Sequence, residues 1–255
     1  MSVMVKRRAY DALMRLSGQF PVVAITGPRQ SGKTTLAKMA FPEKQYVSLD
    51  DKNMREIAAS NPGDFLKAFP NGAIIDEAQK VPEIFDAIKL VVDSGEYQPG
   101  KYILTGSSQF RLRENITDSM AGRIALLKLL PFSLQELGES GFPMKDAYDY
   151  VWRGTYPPLY DKSKYFLSED WFENYLDTYL DLDVKDLINP ANVSAFRKLL
   201  QICAFRSGQM VNYDDISRNI GVSAVTVKSW LSILEASYII HFLEPNSSNL
   251  GKSIV

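Results

Sequence analysis

The stretch AITGPRQSGKTTLAK, residues 24–38, decides the fold. A short apolar run, FPVVAITG at residues 20–27, predicts a buried strand that leads into a glycine-containing loop. The octapeptide GPRQSGKT matches every fixed position of the phosphate-binding loop pattern G-x-x-x-x-G-K-[ST]. The sequence therefore predicts a loop whose backbone N–H groups surround a phosphate, followed by a helix whose N-terminus points at that anion.

Each residue type in this loop has a part in the predicted nucleotide site. Gly27 and Gly32 allow the tight backbone path, Lys33 reaches the β- and γ-phosphates of ATP, and Thr34 offers its hydroxyl to Mg²⁺. A glycine-rich turn with a chance lysine is disfavoured, because the required strand and helix flank the loop. The predicted nucleotide-binding residues are Gly27, Pro28, Arg29, Gln30, Ser31, Gly32, Lys33, Thr34 and Thr35.

A second apolar run, AIIDEAQ, delivers Asp76 and Glu77 to its carboxyl end, the edge at which ligands bind in open α/β sheets. We expect Asp76 to hold Mg²⁺ together with Thr34, and Glu77 to polarise a water for attack on the γ-phosphate. The alternative is an acidic pair that caps the next helix. Small-molecule kinases need no activated water, so Glu77 favours hydrolysis over kinase chemistry.

Two further candidates follow later in the chain. The run ILTGSSQ ends in Thr105 and Ser107, either of which would lie near the attacking water unless the segment is only a Ser/Gly turn. Arg123 precedes another apolar run and is a candidate arginine finger, in its own chain or toward a neighbour. The alternative for Arg123 is a surface pairing with Glu114 or Asp118. With Lys33 and Glu77, these residues complete the predicted catalytic set.

Strands alternate with helices up to about residue 132, which predicts an α/β fold with a mostly parallel sheet. After about residue 150 the pattern changes to helices, at residues 168–188 and 193–208, followed by a helix-turn-helix and a β-rich pair. The predicted division is a P-loop ATPase domain at 1–150, a helical connecting segment at 151–190 and a winged-helix-like domain at 191–255.

The helix-turn-helix consists of YDDISRNIG and SAVTVKSWLSILEASY, with Ser223 as the predicted N-cap of the second helix. Exposed Ser223, Thr226, Lys228 and Ser229 would face a DNA major groove. Residues 190–246 hold five Lys or Arg against four acids, a balance of +1 that is low for a nucleic-acid domain. A module used for packing or protein contact is the alternative. The predicted core positions are Ile216, Ile220, Val222, Val227, Leu231 and Leu234.

Composition narrows the functional classes. The 255 residues carry a net charge of -1, which argues against a protein that simply coats nucleic acid. No run of 18 apolar residues occurs, the N-terminus lacks the apolar part of a signal peptide, and Cys203 has no second cysteine to pair with. These features predict a cytoplasmic protein without membrane contact.

The ordered motifs ITGPRQSGKTTL, LDD, IIDEAQ, ILTGSSQF, MAGRIALLKLLPFSLQEL and RGTYPPLY resemble the AAA-type (AAA+-like) ATP-binding proteins of bacteria and archaea. The resemblance implies an additional-strand P-loop fold, with Lys33 and Thr34 as Walker A residues and Asp76 and Glu77 as Walker B residues. It also implies a sensor around residues 105–108 and a functional Arg123.

The chain departs from this family in two places. Thr155 in RGTYPP stands where the family usually has a second glycine. Family members also continue into a further α/β region that looks nuclease-like, whereas this chain stops at NLGKSIV, where the β-wing should form. We therefore expect a partial winged helix and a truncated C-terminal region.

Two functional hypotheses follow from the sequence. The first is an ATPase that binds Mg·ATP and releases ADP, slowly alone and faster when a partner or a second copy completes the site. The second is a DNA-binding or protein-binding switch in which nucleotide binding matters and turnover hardly does. The turnover of wild type and of Glu77→Gln separates them.

Overall fold

The computed structural model describes residues 5–95, 98–107, 120–142, 145–161, 163, 166–180, 184 and 188–243. The chain divides into two compact units, Met1–Asp177 and Thr178–Val255. The first contains a parallel sheet with helices, and the described part of the second contains helices. The α/β class predicted from the sequence is confirmed.

Strands and helices alternate up to about residue 132, as the sequence predicts, and helices follow. The strands that the structure describes there are β1 (Val22–Thr26), β2 (Gln45–Ser48), β3 (Ala73–Asp76), β4 (Tyr102–Gly106) and β5 (Ile124–Lys128). The helices are α1 (Ala9–Ser17), α2 (Lys33–Ala40), α3 (Lys52–Ser60), α4 (Pro62–Lys67), α5 (Glu83–Ser94), α6 (Leu134–Glu139), α7 (Ala147–Arg153) and α8 (Ser168–Tyr179). Short 3₁₀ turns add Ala78–Lys80 and Pro157–Tyr160.

The strands pair in the order β2-β3-β4-β1-β5, and every pairing is parallel. Strand β4 therefore lies between the strand that leads into the phosphate-binding loop and the strand that ends in the acidic pair. Because the carboxyl ends of parallel strands meet at one edge, the residues that follow β1, β3 and β4 come close together.

The two faces of the sheet carry two separate apolar cores. Side chains alternate between faces along each strand, so Ala24 and Ile75 face one core while Ile25 and Ile74 face the other. Helices α3, α4 and α5 cover the first face, with Phe85 fully buried, and α1 and α2 cover the second. This packing fixes the sheet edge at which the loop after β1 begins.

The second unit contains α9 (Val193–Phe205), α10 (Tyr213–Ile220) and α11 (Ala224–Ala236). The predicted turn at Gly221 is confirmed by its left-handed φ of 76°, and Ser223 caps α11 by accepting the Thr226 N–H at 3.1 Å. Of the predicted core positions, Val222 is half-buried and the others are buried, namely Ile216, Ile220, Val227, Leu231 and Leu234.

Two predictions in this region extend past the described residues. The helix predicted at 168–188 is α8 up to Tyr179, and most of residues 181–187 lie outside the described part. Residues 237–243 form no strand. The rest of the predicted wing, residues 244–255, also lies outside the described part of the chain. Among the described helices, none has the length and apolar character needed to cross a membrane.

Replacing Phe85 by alanine should remove a large aromatic side chain from the core between α5 and the sheet. Phe85 is 1% exposed, so the truncation leaves a cavity and should lower the free energy of unfolding by about 3–5 kcal/mol. Leu90→Ala on the same helix is the control: Leu90 is 68% exposed, and its loss should cost less than about 0.5 kcal/mol. Urea unfolding followed by circular dichroism measures both, and equal losses would contradict this packing.

Candidate functional site

The loop between β1 and α2 is held against the backbone that follows β5. Leu129 N–H donates to the carbonyl of Thr26 at 2.7 Å, and a Cβ on Gly27 would lie 2.0 Å from the Leu129 carbonyl oxygen. Gly32 has a φ of 93°, and Gln30 takes the left-handed region at a φ of 60°. Glycine is therefore required at position 27 by close approach and favoured at position 32 by backbone conformation.

The ammonium group of Lys33 folds back across this loop. Its Nζ donates to the carbonyl oxygens of Gly27 at 3.0 Å and Pro28 at 2.8 Å, and the residue is 6% exposed. The Oγ of Ser31 is buried and has no hydrogen-bond partner among the described residues. A buried cation and an unpaired buried hydroxyl in a loop that opens a helix suit an anionic ligand such as phosphate.

Three hydroxyl groups converge on the carboxylate of Asp76 at the end of β3. Thr34 Oγ1 donates to it at 3.1–3.2 Å, Tyr46 Oη donates to Oδ2 at 2.9 Å, and Thr105 Oγ1 donates to Oδ1. Asp76 is 8% exposed, so these donors compensate its loss of hydration. The carboxylate and the Thr34 hydroxyl are oxygen ligands of the kind that Mg²⁺ prefers, and this donor set fits that ion.

The motif analysis did not single out Tyr46, which the structure places at this carboxylate. Partial burial, together with the hydrogen bond to Asp76 and its charge, raises the pKa of Tyr46 to about 12. The phenol therefore stays protonated at neutral pH and remains a hydrogen-bond donor. The ammonium group of Lys38 lies 3.3 Å from the Tyr46 ring centroid, a cation–π contact that supports the ring.

Glu77 follows Asp76 in a left-handed backbone conformation, with a φ of 55° and a ψ of 41°. Its Oε2 accepts hydrogen bonds from Ser107 Oγ at 3.1 Å and from Gln79 Nε2. Gln79 is buried, and the sequence motifs do not single it out although it lies only two residues after Glu77. These two donors fix the direction of the Glu77 carboxylate, beside the Asp76 site.

The structure does not bring Arg123 to this site. Arg123 precedes β5, and Val22 at the start of β1 pairs with Ile124, so the guanidinium lies at the opposite edge of the sheet, about 13 Å of strand from the loop. It pairs instead with Asp93 of α5, at 2.5 and 3.0 Å. In this position the Arg123 guanidinium does not reach the loop of its own chain, and its role as an arginine finger toward a neighbouring chain stays a prediction.

The other predicted residues lie in or beside the loop. Pro28 is buried, Arg29 is half-buried, and Thr35 is exposed on the first turn of α2. Glu114, Asp118 and Ser108 lie outside the described residues. The predicted Walker A and Walker B residues, with Thr105 and Ser107, therefore meet at one sheet edge.

Two protein-family models match this sequence. Residues 19–138 match the family model of the AAA domain, and residues 144–255 match a domain of unknown function, DUF8612. The chain therefore combines a region similar to the AAA domain with a C-terminal region similar to this domain of unknown function.

Relatives and solved structures add two findings. Two proteins named as uncharacterised, from Mycobacterium bovis and Mycobacterium tuberculosis, are each 28% identical over 249 residues, 97% of this chain and 55% of theirs. The chain therefore spans about half the length of these relatives. A Walker-type ATPase of Pyrococcus abyssi has a similar fold, with a TM-score of 0.54 and 14% identity over 95% of this chain and 92% of its own.

Lys33→Ala should weaken ATP binding ten- to a hundredfold, because a charged contact to phosphate contributes roughly 1.5–3 kcal/mol. Lys67→Ala is the control, since the side chain of Lys67 is 80% exposed and lies on α4, the helix that leads to the start of β3 rather than to its carboxyl end. Isothermal titration calorimetry with ATP measures both variants. Unchanged affinity in Lys33→Ala would remove this lysine from the site.

Proposed function

Because the chain carries an AAA domain, we propose that it binds Mg·ATP and hydrolyses it to ADP and phosphate. The observation that supports this most strongly is the convergence of the Thr34, Tyr46 and Thr105 hydroxyls on Asp76, beside the buried Lys33 and next to Glu77. One sheet edge thus holds groups for phosphate, for a metal ion and for a water.

Binding is the task of the loop and the start of α2. The backbone N–H groups of the loop and of the first turn of α2 would face the phosphates, and that turn contains no acidic residue that would oppose them. Lys33 would exchange its contacts with the Gly27 and Pro28 carbonyls for phosphate oxygens. The buried hydroxyl of Ser31 is a further donor in the same loop.

Thr34 and Asp76 would hold Mg²⁺, and the bound ion would neutralise charge on the phosphate oxygens. The chain's own contribution is to keep the Asp76 carboxylate in one orientation. Thr105 from β4 and Tyr46 from β2 donate to it from two neighbouring strands, which restricts its rotation. Tyr46 and Thr105 are therefore positioning residues in this proposal.

Glu77 would accept a hydrogen bond from the attacking water and orient it. The water oxygen forms a bond to the γ-phosphorus, the bond between that phosphorus and the β–γ bridging oxygen breaks, and the water's protons pass to the products or to Glu77. Ser107 and Gln79 hold the carboxylate that performs this step. A partner or a second copy of the chain is proposed to complete the site and raise the rate.

Glu77→Gln should bind ATP within about threefold of wild type and lose at least a hundredfold in kcat, since glutamine keeps the shape but not the charge that polarises water. Glu83→Gln, an exposed glutamate on the first turn of α5, should leave kcat unchanged. Phosphate release and ATP binding are measured in parallel. Wild-type turnover in Glu77→Gln would remove this residue from the catalytic step.

The second candidate is a nucleotide-regulated switch that binds DNA or protein through α10, the turn at Gly221 and α11. Ser223, Lys228 and Ser229 are exposed there, as a reading helix requires, and Thr226 is half-buried. Asp215 pairs with Arg206 at 2.5 Å and with Arg218 at 3.6 Å, which reduces the positive charge of this surface. DNA is therefore the weaker proposal.

If α11 binds DNA, the isolated chain should bind a labelled duplex at best with micromolar, salt-sensitive affinity, because its charge balance supports few phosphate contacts. Lys228→Gln should then weaken binding at all sequences and lower the salt slope by about one, whereas Lys52→Gln should change neither. Fluorescence anisotropy at low salt is the measurement. A folded chain that binds no duplex in the presence of ATP would leave this module to packing or protein contact.

A further inference from the structure

Arg7 is a buried arginine that the proposed mechanism does not use. It is 8% exposed, although the neighbouring residues Lys6 and Arg8 are both exposed. A buried guanidinium is costly unless its donors are paired and hydrogen-bonded. Its contacts therefore show what this position requires.

The guanidinium of Arg7 binds acceptors from three segments. Nε donates to Glu136 Oε1 at 3.2 Å, Nη1 to the carbonyl of Ser31 at 2.7 Å, and Nη2 to the carbonyl of Leu130 at 2.5 Å. The group also lies 4.9 Å from the ring centroid of Phe132. One of these three acceptors, Ser31, belongs to the phosphate-binding loop.

The partner carboxylate is itself fixed. Glu136 accepts from the backbone N–H of Arg8 at 2.8 Å and of Ser133 at 2.8 Å, the latter as part of the capping box that starts α6. Burial alone would raise the pKa of Glu136, but these hydrogen bonds and the charge of Arg7 outweigh it and lower that pKa. Glu136 thus stays ionised at neutral pH and anchors Arg7 from the side away from the loop.

The contact with Ser31 determines how one peptide of the loop is oriented. In a trans peptide the carbonyl and the N–H point in opposite directions, and no described peptide bond is cis. Arg7 holds the Ser31 carbonyl, so the N–H of Gly32 in the same peptide points away from Arg7. Nη1 of Arg7 would lie 3.5 Å from a Cβ on Gly32, so the guanidinium also packs beside this residue.

We infer that Arg7 is a positioning residue for phosphate binding, which holds the Ser31–Gly32 peptide so that its N–H is presented to the nucleotide. The inference rests on the proposed function, since it assigns Arg7 to the same site. A merely structural role, as a clip between the N-terminal segment and α6, predicts loss of stability without a selective change in the loop. A substitution of Arg7 would therefore alter the loop selectively in the first role and lower the stability of the fold in the second.

Three variants test this: Arg7→Gln, Arg7→Lys, and Arg8→Gln as the control, because Arg8 is the exposed neighbour. Hydrogen exchange by mass spectrometry without nucleotide should show at least tenfold faster exchange of the amides of residues 29–32 in Arg7→Gln, with no change in β3. Its ADP affinity by calorimetry should fall at least tenfold. Arg7→Lys keeps the charge but cannot make all three hydrogen bonds, so its loop exchange rate and ADP affinity should lie between those of Arg7→Gln and wild type. Both quantities should equal the wild-type values in Arg8→Gln.

A double variant, Arg7→Met with Glu136→Gln, covers the case in which Arg7→Gln fails to fold. Replacing a buried ion pair by uncharged groups of similar size is often neutral for stability, so this chain should fold and still lose the contact with Ser31. Loop exchange and ADP affinity equal to wild type in a folded variant would overturn the inference. If the wild-type chain binds no ADP, the proposed function is contradicted. The comparison of loop amide exchange between wild type and the Arg7 variants still decides whether Arg7 positions the loop.

Discussion

The burial of the Asp76 carboxylate is the constraint on which the site depends. A carboxylate that is 8% exposed must be hydrogen-bonded, and its donors come from α2, β2 and β4. These elements lie far apart in sequence and meet only when the sheet forms in its parallel order. The register pairs Ser48 with Asp76 and Ile75 with Leu104, which places Tyr46 and Thr105 within reach. The polar site and the apolar sheet therefore stabilise each other.

Two residues of the site have backbone conformations that are unfavourable for residues other than glycine. Gln30 and Glu77 both have a φ near 60°, the left-handed region, and neither is a glycine. Strain of this kind costs of order 1–3 kcal/mol at each residue and persists only where the surrounding structure fixes it. The Gly27–Leu129 approach fixes the loop, and the hydrogen bonds from Ser107 and Gln79 fix Glu77. The loop is thus shaped before any ligand binds, which lowers the ordering cost of binding.

The sequence was sufficient for the sheet and the loop because their signals are local. Apolar runs bounded by glycine or proline predict the strands, and the spacing from Gly27 to Thr34 predicts the phosphate-binding loop. Tyr46, Gln79 and Arg7 were missed for a different reason. Each acts through a tertiary contact, and a lone tyrosine in a four-residue strand or an arginine in a basic N-terminal run carries no pattern that separates it from a surface residue.

The position of Arg123 also depends on tertiary structure. The sequence places Arg123 directly before an apolar strand. In a parallel sheet, however, residues before the strands lie at the amino ends and residues after them lie at the carboxyl ends, where the loop is. Residues after β1, β3 and β4 meet at the loop, whereas residues before β5 meet α5, where Asp93 pairs with Arg123. By contrast, Arg7 precedes the first helix and reaches the loop through the Ser31 carbonyl. A hydrogen bond depends on distance in the folded structure and not on separation along the sequence. The arginine that supports this site could therefore be identified only from the structure.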